Sequence, residues 1–104
     1  MMEKLNEILA KLDTHFRSTN SEMTEKERLF SRVIKLNEEV GELCEAVLSE
    51  NDRNQREKGK VIDLDAELAD IIICTLLIAH TRDKDIWEEI NTKLTRLQQK
   101  FNLE

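Results

Sequence analysis

The 104-residue chain has no proline, no tyrosine, two glycines, two cysteines and four other aromatics, Phe16, Phe30, Trp87 and Phe101. With so few turn formers and aromatics, it cannot be a sandwich or barrel, whose short strands need frequent Gly- and Pro-rich turns. Long apolar runs are also missing. The longest, Ile71 to Ala79 interrupted by Thr75, falls well short of the roughly 20 residues that cross a bilayer, so no membrane partner is expected. The opening MMEKLNEILAKLD alternates charged with apolar residues, unlike an export signal. Cys44 and Cys74 show neither CxxC nor Cys/His spacing. They read as reduced core thiols of a cytoplasmic protein. Basic excess is absent too: a net charge of −6 and a pI near 5.0 exclude a nucleic-acid backbone as partner.

What remains is a chain 37% charged and 39% hydrophobic, patterned for helices. Residues 1–104 read as one all-α domain, a four-helix bundle-like unit. Leu5, Ile8, Leu9, Leu12 and Phe16 recur at helical spacing and predict a first helix from about Met2 to Arg17. Thr24 followed by Glu27 is a capping box, predicting a second helix from Glu25 to about Ser49 with the apolar stripe Val33, Leu36, Val40, Leu43, Val47. The stretch NDRNQREKGK, Asn51 to Lys60, holds no apolar residue and reads as a solvated loop. A third helix follows from about Asp63 to His80. A fourth runs from Asp85, an N-cap with Glu88 at N3, to about Phe101.

Apolar residues surround the axis of the third helix from Leu64 to Ala79, more than a helix on the outside of a small bundle requires. Self-association is therefore expected, with helices paired across subunits.

Acids mark both central helices. In KLNEEVGELCEAV, placing residues about 100° apart sets Glu39 on the flank of the stripe and Glu42 beside it at i, i+3, with Glu38 and Glu45 turned to solvent. In ELAD, Glu67 and Asp70 repeat the spacing on a face continuing into Ile71, Cys74 and Ile78. Like charges next to apolar faces repel, and the ELAD helix has no Lys or Arg before Arg82, so a cation is the economical remedy. Carboxylates without His or Cys suit Mg²⁺ or Mn²⁺, ions that take further ligands from phosphates. A di-iron bundle wants Glu-x-x-His, and neither pair has it.

The order EExxE (Glu38-Glu39-Val40-Gly41-Glu42), a gap, then ExxD (Glu67-Leu68-Ala69-Asp70) resembles the MazG family of all-α nucleoside triphosphate pyrophosphohydrolases, over about Phe30 to Phe101. The resemblance implies Mg²⁺-dependent hydrolysis of a ribo- or deoxyribonucleoside triphosphate between the α and β phosphates, releasing pyrophosphate. It also implies a homo-oligomer, a dimer or a tetramer of paired dimers. Glu39, Glu42, Glu67 and Asp70 match its metal ligands, Glu38 becomes a base or an outer-sphere residue, and Lys93 in INTKLTRLQQKF matches its phosphate-binding lysine. A phosphoribosyl-ATP pyrophosphohydrolase would share this chemistry, and a non-catalytic helical pairing module is the reading from outside enzymology. His15, Phe16, Phe30 and Trp87 are candidates for a nucleobase wall, and each fits a core or interface equally well.

Overall fold

A computed structural model describes residues 2–50 and 63–103, and among these every regular element is an α-helix. Four are formed: α1 (Met2–Thr19), α2 (Glu25–Glu50), α3 (Leu64–Thr81) and α4 (Ile86–Lys100). The loop expected at Asn51 to Lys60 lies outside the described residues.

Local chemistry sets the helix ends. Glu27 donates its backbone N–H to Thr24 Oγ1 at 3.1 Å, and Thr24 donates its own to Glu27 Oε1 at 3.0 Å. This reciprocal cap starts α2 where the sequence predicts. The Asp63 side chain accepts from Ala66 N at 3.1 Å and caps α3. Asp85 accepts from Trp87 N and Glu88 N at 3.1 and 3.2 Å and caps α4. Between them the Arg82 N–H closes α3 onto the Ile78 and Ala79 carbonyls. Asp83 then takes a left-handed φ of 54°, a conformation Asp tolerates better than most residues.

α2 packs along α3, and α1 packs on α3 as well. Leu9, Leu76 and Leu77 form the buried core, with Leu5, Leu12, Ile86 and Trp87 against it. An ionic lattice joins the three helices beside this core. Asp13 on α1 pairs with Arg17 Nε at 2.9 Å and with Arg32 Nη2 of α2 at 2.7 Å. Arg32 also donates to the Leu77 carbonyl at 3.3 Å and to the Thr81 hydroxyl on α3.

The fourth helix stands largely apart from the other three. Its first turn touches the core through Ile86 and Trp87, but every residue from Glu88 to Leu103 is exposed. The radius of gyration, 17.2 Å, exceeds the value of about 13 Å for a compact domain of this length.

The buried face of α2 also differs from the stripe read in the sequence. Val33, Val40 and Val47 are exposed, while Arg28, Glu39, Ala46 and Ser49 are buried. α3 lies on the more polar side of α2 and leaves the apolar heptad outward. The same rotation turns Glu45 partly inward and leaves Cys44 exposed, correcting the expectation that Glu45 faces solvent and Cys44 the core. Ile34, Phe30 and Leu48 extend the exposed α2 surface, and Leu68, Ile72 and Ile73 add a second on α3. No described helix is long and apolar enough to cross a membrane.

Candidate metal centre

Along α2, Glu39 falls on the face that meets α3, because it is spaced at helical intervals from Arg32, Leu36, Leu43 and Ala46, which are all at least partly buried. On α3, Glu67 lies in the first turn and Asp70 one turn further on. The pairing of the two helices brings Glu39, Glu67 and Asp70 together, each offering a carboxylate oxygen within 4.8 Å of the others. Glu39 is only 7% exposed, Glu67 is half-buried, and Asp70 is exposed at the mouth.

Glu42 completes the group from the solvent side. The charge of Glu39, then desolvation and the nearby Glu67, push the Glu42 carboxyl above the usual carboxylate range. Negative charge is thus crowded enough to resist ionisation.

One Oε2 atom of Glu39 and one of Glu67 are buried with no hydrogen-bond partner. A buried carboxylate oxygen without a partner costs free energy unless a cation or proton meets it. Two such oxygens on facing helices, with Asp70 and Glu42 beside them, form an all-oxygen donor set of the kind hard divalent ions take. The residues present fit such an ion.

Among the described residues, a cation of α2 and not of α3 borders this group. Lys35 Nζ lies 3.3 Å from Glu39 Oε1 and 3.5 Å from Glu38 Oε2. Its hydrogen bond to Glu39, with the charges of Glu39 and Glu38, raises its pKa. The signal was legible as an i, i+4 and i, i+3 pairing on α2. Cys74 faces the same group: burial first, then the charge of Glu39, with Asp70 adding and Lys35 opposing, pushes its thiol up.

The remaining sequence candidates divide. Glu38 is exposed beside Lys35, outside the inner three carboxylates. Lys93 is exposed on α4, which has no extended packing along α2 or α3. Phe16 lines a cavity with Lys35 and Cys74. Phe30 sits in an outer groove with Val33 and Ile34. Trp87 packs on the core and donates Nε1–H to Asn6 Oδ1 at 3.4 Å. His15 stacks obliquely on Phe16, with ring centroids 5.7 Å apart.

No curated protein and no solved structure is matched by the chain. The family model of the MazG nucleotide pyrophosphohydrolase domain matches residues 29–102, a span that holds α2 beyond its first turn, all of α3 and α4, and Glu38, Glu39, Glu42, Glu67 and Asp70. On that match the chain belongs to the MazG nucleotide pyrophosphohydrolase family.

Proposed function

We propose that the protein hydrolyses a nucleoside triphosphate at the α–β phosphoanhydride, giving a monophosphate and pyrophosphate, with Mg²⁺ or Mn²⁺ held by Glu39, Glu42, Glu67 and Asp70. One observation carries this reading: the buried, unpartnered oxygens of Glu39 and Glu67, gathered with Asp70 within 4.8 Å. Bound there, a divalent cation neutralises carboxylates and phosphates together and lowers the pKa of the attacking water.

The chain's own residues supply the rest. Glu38 is exposed beside the acid group and pairs with Lys35 at 3.5 Å, and it is proposed to take the proton of the attacking water. A phosphorus–oxygen bond forms to that water as the bond to the β-phosphate oxygen breaks, and pyrophosphate leaves with the electron pair. Lys93 is proposed to meet negative charge developing on the phosphates.

The reading includes a homo-oligomer, a dimer or tetramer. α4 presents Ile90, Leu94, Leu97 and Phe101, all exposed, and an isolated 15-residue helix is marginal in water. A second copy covering this stripe would gain about 1.5–3 kcal/mol for each side chain fully buried, and would carry Lys93 toward the acids. Residues 1–104 are taken as one domain, since α1 shares the core of α3. A cytoplasmic setting accords with two free thiols.

The test is a panel of ribo- and deoxyribonucleoside triphosphates with Mg²⁺, scoring monophosphate and pyrophosphate against diphosphate and orthophosphate. Orthophosphate as first product would reject cleavage between the α and β phosphates.

A further inference from the structure

Lys35 borders the acid group and two openings of the surface at once. Its Nζ lies 3.3 Å from Glu39 Oε1 and 3.5 Å from Glu38 Oε2, and its side chain is 57% exposed. It lines a cavity of about 280 Å³ with Phe16, Ser31 and Cys74, and a groove of about 440 Å³ with Phe30, Ser31 and Glu38. The ammonium is tied to the acids yet open to a solute.

The neighbouring cations are committed elsewhere. Arg17 and Arg32 hold Asp13 at 2.9 and 2.7 Å, and Arg32 also donates to the Leu77 carbonyl and the Thr81 hydroxyl. Arg28 is 6% exposed and donates to the Asn20 carbonyl at 3.1 Å. Lys93 lies on α4, which has no extended packing along α2 or α3. Of these cations, Lys35 is the one whose partners belong to the EExxE acids.

It meets Glu39 through Oε1, whereas Oε2 is the oxygen buried without a hydrogen-bond partner. Lysine and divalent ion therefore suit different oxygens of one carboxylate, and neither need displace the other. With no ion bound, Glu39, Glu67 and Asp70, gathered within 4.8 Å, draw the ammonium inward and repel phosphates. An ion on the carboxylates cancels much of that pull. A triphosphate then adds more negative charge than one divalent ion neutralises, and the flexible four-carbon stem of lysine lets its ammonium turn toward a phosphate oxygen.

Resting on the proposed function, we infer that Lys35 is a substrate-binding residue: its ammonium receives the triphosphate beside the metal-loaded carboxylates of its own subunit. That turn also releases Glu38, the residue proposed to take the proton of the attacking water.

The experiment separates binding of the ion from binding of the nucleotide. Titration calorimetry measures Mg²⁺ on the nucleotide-free protein, then the α,β-methylene analogues of ATP, CTP, GTP and UTP on protein saturated with Mg²⁺. Pyrophosphate release from the four triphosphates is assayed alongside. Lys35→Gln is expected to weaken analogue binding by about ten-fold or more, the loss of one charged hydrogen bond. Its Mg²⁺ affinity should equal or exceed that of wild type, since a positive charge has left the neighbourhood. Lys35→Arg keeps the charge and should stay within about three-fold of wild type for both ligands. Analogue affinity unchanged in Lys35→Gln, Mg²⁺ affinity weakened in step with it, Lys35→Arg as weak as Lys35→Gln, or no analogue binding by wild type overturns the inference. The parallel loss would make Lys35 a prop of Glu39 alone. Pyrophosphate release by wild type and by Lys35→Gln alike removes the lysine and leaves the hydrolase. Lys35-dependent analogue binding without pyrophosphate release does the reverse.

Discussion

Arg32 of α2 sets its Nη2 2.7 Å from Oδ1 of Asp13 on α1, with both side chains about nine-tenths closed to solvent. Burial by itself would push the Asp13 carboxyl up. Hydrogen bonds from Arg17 and Arg32, together with their charges, outweigh it and hold the carboxyl below its ordinary value of 3.8. A depressed carboxyl contributes stability above its unfolded-state pKa and loses it as pH falls through the folded one. Melting temperature should therefore drop as pH falls toward 3.8 and continue dropping below it. Asp13→Asn should flatten that acid limb and cost about 3 kcal/mol at neutral pH, because Arg32 keeps a buried charge without its partner. Parallel pH–melting curves for the two proteins would remove Asp13 from the account of acid unfolding.

Glu42 works in the opposite sense. The Glu39 charge, desolvation and Glu67 raise its pKa, so without metal the protein loses stability as pH rises above Glu42's ordinary value of 4.5. Glu42→Gln should raise the metal-free melting temperature at pH 7 and abolish pyrophosphate release. Mg²⁺ or Mn²⁺ should stabilise wild type by about 2.7 kcal/mol at a hundred times the dissociation constant and do much less for the variant. A wild-type melting temperature indifferent to both ions would argue that the carboxylates bind neither.

The cap of α3 links stability to the site. Asp63 holds Ala66 N in the turn that carries Glu67, so Asp63→Ala should cost about 1 kcal/mol. Fraying there displaces a proposed ligand, and Mg²⁺ affinity measured by titration calorimetry should weaken with it. Lost stability with unchanged affinity would separate the cap from the metal.

Leu94 is exposed on α4 and Ile34 on α2, and the proposed oligomer gives each apolar stripe a cover. Leu94→Asp or Ile34→Asp should reduce the sedimentation coefficient to that of one chain and lower helical content at α4. Lys93→Ala should leave assembly intact and slow turnover by about ten-fold or more, as removal of one charge-stabilising donor does. A wild-type protein that sediments as a single chain at micromolar concentration would end the subunit-pairing proposal.

Much of the fold was legible because its signals are local. Thr24, Glu27, Asp63 and Asp85 act within three residues of themselves, so their order along the chain already fixed where helices begin. What was misread depended on neighbours. Angles around α2 placed Glu39 on the flank of an apolar stripe, yet α3 packs on the side bearing Arg28, Glu39, Ala46 and Ser49, leaving Val33, Val40 and Val47 outside. Periodicity ranks faces by hydrophobicity, and a face meant for another subunit scores as well as one meant for the chain's own core. The lattice of Asp13, Arg17, Arg32 and Thr81 was invisible because its members come from three helices.

The sequence by itself determined an all-helical chain, the caps that start its helices, and two acid pairs at i, i+3 that match the MazG signature, since each of these is written in spacing along one strand of covalent bonds. The tertiary structure decided which carboxylate oxygens lose their water, that Lys35 stands beside them, and that α4 leaves the core. Those outcomes depend on which helix face meets which, and desolvation is set by the neighbour across the contact.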